Sequence, residues 1–248
     1  MISDFFKKVK SEMSNKELVI VTGASRGIGK AIALRFSKDG KDVMIFGRDV
    51  IALEAVQKEI LKYGNACELF AGDAADEKFV QESVSKIIEK YGRVDHLINN
   101  AGLGIFKKLV DSTLDEFKTQ IDVNLYGVYN FTKAVANNMI QRKSGSIINI
   151  ASLAGKNAFV GGTMYSATKH AVLGFTKSLM LELREFNIRV AAICPGSVNT
   201  EFFDNTNMKP NTSKILQADD IAETVMTIIK LPVNALISEI DIRPTNPK

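Results

Sequence analysis

Seven short apolar runs, rich in valine and isoleucine, punctuate the chain at 17–22, 42–47, 66–71, 94–98, 146–151, 188–194 and 238–242. Longer segments between them repeat apolar positions at the spacing of a helix face. A run that is apolar at every position, rather than at alternate ones, belongs to a strand covered on both sides, as in a parallel sheet flanked by helices. Asp39-Gly40, Tyr63-Gly64, Tyr91-Gly92 and Phe186-Asn187 each precede a run by a residue or two. Glycine and asparagine tolerate the left-handed backbone that ends a helix, so these pairs read as helix stops. Strand, helix, strand, repeated in this way, predicts a doubly wound α/β fold with a seven-stranded, mostly parallel sheet between helix layers. No linker, repeat or low-complexity tract interrupts 17–248, which therefore reads as one domain. Residues 1–16 form an extension with Ile2, Phe5, Phe6, Val9 and Met13 at helical spacing. The two readings of it are a small amphipathic helix docked on the body or on a second subunit, and a solvated arm.

Composition narrows the function classes. The 248 residues are 46% hydrophobic and 24% charged, which excludes a disordered or fibrous chain. A net charge of +4 is scattered, and its densest cluster, Lys7, Lys8 and Lys10, is too small for a dedicated nucleic-acid surface. No apolar run approaches the roughly 18 residues of a membrane span. The opening segment lacks the apolar core of a signal peptide. Cys67 and Cys194 cannot make a disulfide framework, and the expected setting is a soluble protein in a reducing, cytoplasmic compartment.

The first run leads into Thr22-Gly-Ala-Ser-Arg-Gly-Ile-Gly29 and then a helical segment. Gly23, Gly27 and Gly29 differ in spacing from GxGxxG, but the same physics applies. Glycine permits a sharp turn and a close backbone approach, and the helix N-terminus offers free N–H groups to a pyrophosphate. A dinucleotide is the expected ligand. At the end of the second run, an acid would accept hydrogen bonds from the 2′-hydroxyl of NAD. Gly47 stands there instead, followed by Arg48, and Arg26 adds a second guanidinium from the glycine loop. Two arginines and no acid predict NADP. The competing reading pairs Arg48 with Asp49 and leaves Arg26 solvated.

Tyrosine and lysine four apart share a helix face. Bringing a phenol of ordinary pKa ~10 into the neutral range takes about 4 kcal/mol, and a nearby ammonium favours that change. Two such pairs occur, Tyr129/Lys133 and Tyr165/Lys169. Tyr165 opens a helix after the fifth run, thirteen residues beyond Ser152, at the sheet edge where such folds bind ligands. Tyr129 lies in the apolar stretch VNLYGVYNFTKAV and reads as a packing residue.

With these residues in order, the chain resembles the short-chain dehydrogenase/reductase family from about residue 17 to 242. The resemblance rests on TGASRGIG at 22–29, Asp73, Asn99-Asn100-Ala101-Gly102, Asn124 in DVNLYG, Ser152, Tyr165-Ser-Ala-Thr-Lys169 and Pro195-Gly196-Ser-Val-Asn-Thr200. It implies that Tyr165 is the general acid/base and that Lys169 lowers its pKa and binds the nicotinamide ribose. It implies further that Ser152 holds the carbonyl oxygen and that Asn124 positions a water in a proton relay to Lys169. Gly23, Ser25, Arg26, Gly27, Ile28, Gly29, Arg48, Asp73, Ala74, Asn100, Ala101 and Gly102 would contact the cofactor, Asp73 at the adenine. Pro195, Gly196, Val198 and Thr200 would frame the nicotinamide. No metal is needed, and His96 and His170 do not resemble a ligand set.

Leu103, Leu153, Phe159, Val160 and the stretch 202–208, with Phe202, Phe203 and Met208, are expected to wall the substrate pocket. They lie partly in an irregular region, 197–217, that folds over the substrate in the family. The expected activity is NADPH-dependent interconversion of an uncharged or apolar ketone or aldehyde with its alcohol. The bacterial 3-oxoacyl-carrier-protein reductases are an alternative. They end their last strand with an aspartate and two glycines, whereas this chain ends SEIDIRPTNPK, closer to the broad-range carbonyl reductases. A third reading is a non-catalytic NADP-binding regulator, although Asn124, Ser152, Tyr165 and Lys169 are all present. By analogy with the family, a homodimer or homotetramer is expected.

Overall fold

The computed structural model describes residues 16–204 and 211–246, so the extension expected at 1–16 lies almost wholly outside the described residues, as does Met208. Its strands are β1 (Leu18–Thr22), β2 (Asp42–Gly47), β3 (Cys67–Ala71), β4 (His96–Asn99), β5 (Gly145–Ile150), β6 (Ile188–Pro195), β7 (Val198–Asn199), β8 (Leu216–Gln217) and β9 (Glu239–Ile242). Its helices are α1 (Gly27–Lys38), α2 (Val50–Leu61), α3 (Glu77–Tyr91), α4 (Leu114–Ile121), α5 (Gly127–Arg142), α6 (Thr163–Leu183) and α7 (Ala218–Ile229).

All seven expected runs are strands of one sheet, in the order β3-β2-β1-β4-β5-β6-β9 and parallel throughout. The order reverses between β1 and β4, which leaves a crevice at their carboxyl ends. The continuous apolar runs follow from the two cores. Val19, Val21 and Ile45 pack with Ile32, Phe36 and Leu53 on one face. Leu18, Ile20 and Met44 pack with Val84, Phe131 and Ile147 on the other. Alternate side chains of β1 thus enter different cores, and each face demands an apolar residue.

Gly40, Gly64, Gly92 and Asn187 all have positive φ, as the helix-stop reading expected. A fifth stop went unread because it uses Lys143, φ 51°, just before β5. The two ends of region 197–217 are paired, since β7 pairs with β8, while residues 205–210 lie outside the described residues. Cys67 and Cys194 are buried thiols on β3 and β6, with four strands between them, so they cannot bond to each other. Among the described residues, no helix is long and apolar enough to cross a membrane.

A buried carboxylate ties the amino edge of the sheet. Asp95 is 4% exposed and accepts from Leu18 N–H at 2.8 Å. Arg93 reaches it at 2.6 Å through both Nε and Nη2, and Arg142 joins from α5. Burial would raise its pKa, but Arg93, the Leu18 N–H and Arg142 outweigh that and hold the carboxyl below its ordinary range. Asp95→Asn leaves two guanidiniums facing a neutral amide and should destabilise the fold by about 2–4 kcal/mol in urea unfolding. An unmoved midpoint would show that the charge contributes nothing.

Candidate active site

A cavity of about 870 Å³ lies over the crevice, and its wall includes Thr22, Gly47, Asn100, Ile150 and Pro195, each at or just past the carboxyl end of a strand. At one end stand Gly23, Ser25, Arg26, Gly27 and Ile28. Gly23 takes φ +64°, and a side chain there would meet the Ala101 backbone at 2.9 Å. Thr22 Oγ1 accepts from the N–H groups of both Asn100 and Ala101 at 3.0 Å. The Asn100 amide donates in return to Thr22 O at 3.0 Å and Gly23 O at 3.2 Å. Gly29 departs from the expected direct contact. It is buried and off the cavity wall, and a Cβ on it would fall 2.2 Å from Gly23 O. Its role is to let α1 close on the turn after β1.

Arg26 and Arg48 are exposed side chains on the same cavity, and neither forms an ion pair within the described residues. Asp49 does not pair with Arg48. It caps α2, accepting from Ala52 N–H at 3.0 Å. Asp73, Ala74, Ala101, Gly102, Gly196, Val198 and Thr200 complete the expected cofactor wall.

Ser152, Tyr165 and Lys169 line the opposite end. Helix α6 starts after Gly162 and turns Tyr165, Thr168, Lys169, Val172 and Thr176 inward, so tyrosine and lysine share its buried face. Ser152 Oγ accepts from Ala154 N–H at 3.0 Å and shares the cavity wall with the Tyr165 phenol. Burial pushes that phenol up to about 12, with the serine pulling the other way. Burial also brings Lys169 down to about 8. The expectation that Lys169 lowers the tyrosine is not met in this geometry. Its Nζ donates to Ile150 O at 3.0 Å and stands 5.8 Å from the centre of the phenol ring.

Asn124 is buried behind the wall rather than on it, in a π turn at Asp122–Tyr126 between α4 and α5. Its Nδ2 donates to Leu103 O at 2.9 Å and Thr168 Oγ1 at 3.0 Å, and its Oδ1 accepts from Leu103 N–H at 2.8 Å. A methyl on Gly102 would sit 3.2 Å from that Oδ1 and 3.6 Å from Lys169 Nζ, so glycine leaves a gap between the two groups.

Phe159, Leu153, Phe202 and Phe203 line the cavity as expected, but Leu103 and Val160 do not. Asn124 straps the Leu103 backbone, and Val160 is 87% exposed beside the turn at Gly161. Sequence reasoning missed Phe106, Glu201, Arg243 and Pro244 on the wall. Gly104 was the available signal for Phe106, since a side chain there would strike the Phe106 and Phe202 rings, both at 2.7 Å. Tyr129, expected to pack, is 47% exposed. Val128, Phe131, Val135 and Met139 form the buried face of α5, and Tyr129 falls off that stripe. His170 is exposed, with Nδ1 at 2.8 Å from Ser166 O, and His96 stacks on Phe36 in the core. Neither touches the cavity, and no metal-binding cluster of His, Cys, Asp or Glu occurs among the described residues.

Comparison with known proteins agrees with this geometry. The short chain dehydrogenase family model matches residues 17–211, and the chain belongs to that family. A 3-oxoacyl-[acyl-carrier-protein] reductase of Synechocystis sp. is 35% identical over 228 residues, covering 90% of this chain and 92% of the relative. The crystal structure of an alcohol dehydrogenase from the archaeon Thermococcus sibiricus, complexed with 5-hydroxy-NADP, superposes with a TM-score of 0.86 at 31% identity, covering 93% and 97% of the two chains. A metagenomic short-chain oxidoreductase in complex with NADP gives a TM-score of 0.82 at 37% identity, with the same coverages.

Proposed function

We propose that this chain is an NADPH-dependent oxidoreductase that interconverts an uncharged or apolar ketone or aldehyde with its alcohol. The observation that carries the reading is a single cavity joining Arg26 and Arg48, which form no ion pairs among the described residues, at the glycine-loop end, to the buried Tyr165 phenol with Ser152 and Lys169 at the other. Two solved relatives hold NADP or 5-hydroxy-NADP, and the cradle here fits such a cofactor: Gly23 and Gly27 take positive φ, and Arg26 and Arg48 offer partners for a 2′-phosphate.

Bound NADPH supplies the hydride for the carbonyl carbon. Tyr165 gives the proton to the oxygen, and its buried, neutral phenol is the protonation state that carbonyl reduction requires. Ser152 aligns that oxygen with its hydroxyl, which lines the cavity beside the phenol. Lys169 resupplies the proton through the gap beside Gly102, which Asn124 Oδ1 bounds on its other side. Phe202 and Phe203 face the cavity and would form part of the substrate-side wall. Two separated thiols fit a reducing cytoplasm, and the family likeness favours a homodimer or homotetramer. A second reading, reduction of a 3-oxoacyl thioester on a carrier protein, draws on the Synechocystis relative. A large preference in kcat/KM for the carrier-bound thioester over free ketones would favour it.

Tyr165→Phe should lower turnover by about 10²–10⁴-fold while NADPH binding, followed by reduced-nicotinamide fluorescence, stays intact. Undiminished turnover would remove Tyr165 from the chemistry. Arg48→Ala should weaken NADPH far more than NADH in the same titration, whereas equal losses would mean that Arg48 does not read the 2′-phosphate. Because Lys169 holds its proton only up to about pH 8, carbonyl reduction should slow as the pH rises through that value. A flat kcat/KM profile from neutrality to about pH 9 would exclude Lys169 as the proton supplier.

A further inference from the structure

Three phenylalanines from three different loops cluster beside the Tyr165 phenol, two of them in contact with its ring. Phe106 follows β4, Phe159 follows β5 and Phe202 follows β6 and the short β7, so they share the carboxyl edge of the sheet only through its topology. Phe106 meets Tyr165 edge to face, with centroids 5.3 Å apart and planes at 85°, and meets Phe159 at 5.5 Å and 75°. Phe202 leans on both, 5.9 Å from Tyr165 and 6.0 Å from Phe106.

Two glycines make this possible, and neither has positive φ. A Cβ on Gly104 would lie 2.7 Å from the ring tips of Phe106 and Phe202, and one on Gly162 would lie 2.5 Å from the Phe159 ring. The backbone is thus bare where the rings are seated. Apolarity alone would be met by leucines, which need no such clearance. Ring geometry is the property that this arrangement holds.

Resting on the oxidoreductase reading above, we infer that the substrate is an aryl ketone or aldehyde, or the matching alcohol, whose ring takes the place of Phe202 against Phe106 and Tyr165. At 6.0 Å, Phe106 and Phe202 are too close for a third ring to stack between them, so a substrate ring that packs against Phe106 beside the phenol takes the place of Phe202. An aromatic group replaces the edge-to-face contacts that Phe202 gives up. An alkyl group of equal volume buries as much surface but restores none of them. Phe106, which stays in place and contacts both Tyr165 and the incoming ring, is the specificity-determining residue.

The test compares acetophenone with cyclohexyl methyl ketone, which have similar shape and differ in aromaticity, in steady-state reduction with NADPH. The wild-type protein should favour acetophenone by about ten-fold in kcat/KM, in line with one or two aromatic contacts. Phe106→Leu should bring that ratio close to unity, with NADPH binding by nicotinamide fluorescence unchanged as the check on folding. Equal rates for the two ketones in the wild-type protein, or a ratio that survives Phe106→Leu, overturns the inference and leaves the oxidoreductase reading standing. Bound NADPH with no turnover of any carbonyl overturns both.

Discussion

The carbonyl oxygen of Gly23 is the point on which the cavity depends. It accepts from the Asn100 amide at 3.2 Å, and only the missing side chain of Gly29 lets the first turn of α1 lie against it. Thr22, one residue earlier, holds the Asn100 and Ala101 N–H groups with one hydroxyl. Together these bonds clamp the loop after β1 to the loop after β4 where the strand order reverses. Without the clamp the crevice would be a gap between two independent loops. With it, the start of α1 and the segment leading to Gly102 form a single wall, rigid enough to present backbone N–H groups toward an anion.

A second clamp lies beneath the reacting end. Asn99 of β4 and Asn149 of β5 stand side by side in the sheet, and the Asn99 amide donates to Asn149 Oδ1 at 2.9 Å and to Thr132 Oγ1 of α5 at 3.2 Å. Asn149 passes on to Thr176 of α6 at 2.8 Å. This buried polar chain fixes both helices to the sheet in one register, which apolar packing alone specifies less sharply. Asn124 then sits at the head of α5, and Tyr165 and Lys169 sit on α6. Their mutual placement is thus set one layer below the site.

The strands and the glycine loop were legible because each rests on a local rule: a doubly buried run must be apolar, and a positive φ favours glycine or asparagine. Lys143 shows the limit, since a lysine in the left-handed region carries no such mark. Legibility also failed where tertiary packing decides. Gly29 was read as a ligand contact because its spacing matches the loop, whereas its reason is 2.2 Å of clearance from a backbone oxygen. Phe106 went unread because Gly104, two residues earlier, marks a close approach without saying whether the ring it admits faces the phenol or the core. Tyr129 was misplaced because an apolar stretch does not say which side of α5 faces the sheet.

The two ends of the cavity obey different electrostatics. Arg26 and Arg48 are exposed, and their attraction for an anion is screened over about 8 Å at physiological salt, so any selection they exert would act on ligands that have already arrived. Tyr165 and Lys169 are buried, and there the same burial disfavours both the phenolate and the ammonium, raising one group and lowering the other. The proton is therefore held on the phenol and held loosely on the amine. The Ile150 carbonyl orients Nζ without supplying a countercharge. Aromatic rings pack on the phenol and contribute to the burial behind this asymmetry. Widening that shell with small or polar side chains would let solvent in and relax both groups toward their ordinary values, so the rings that shape the pocket also set the direction in which its proton is available.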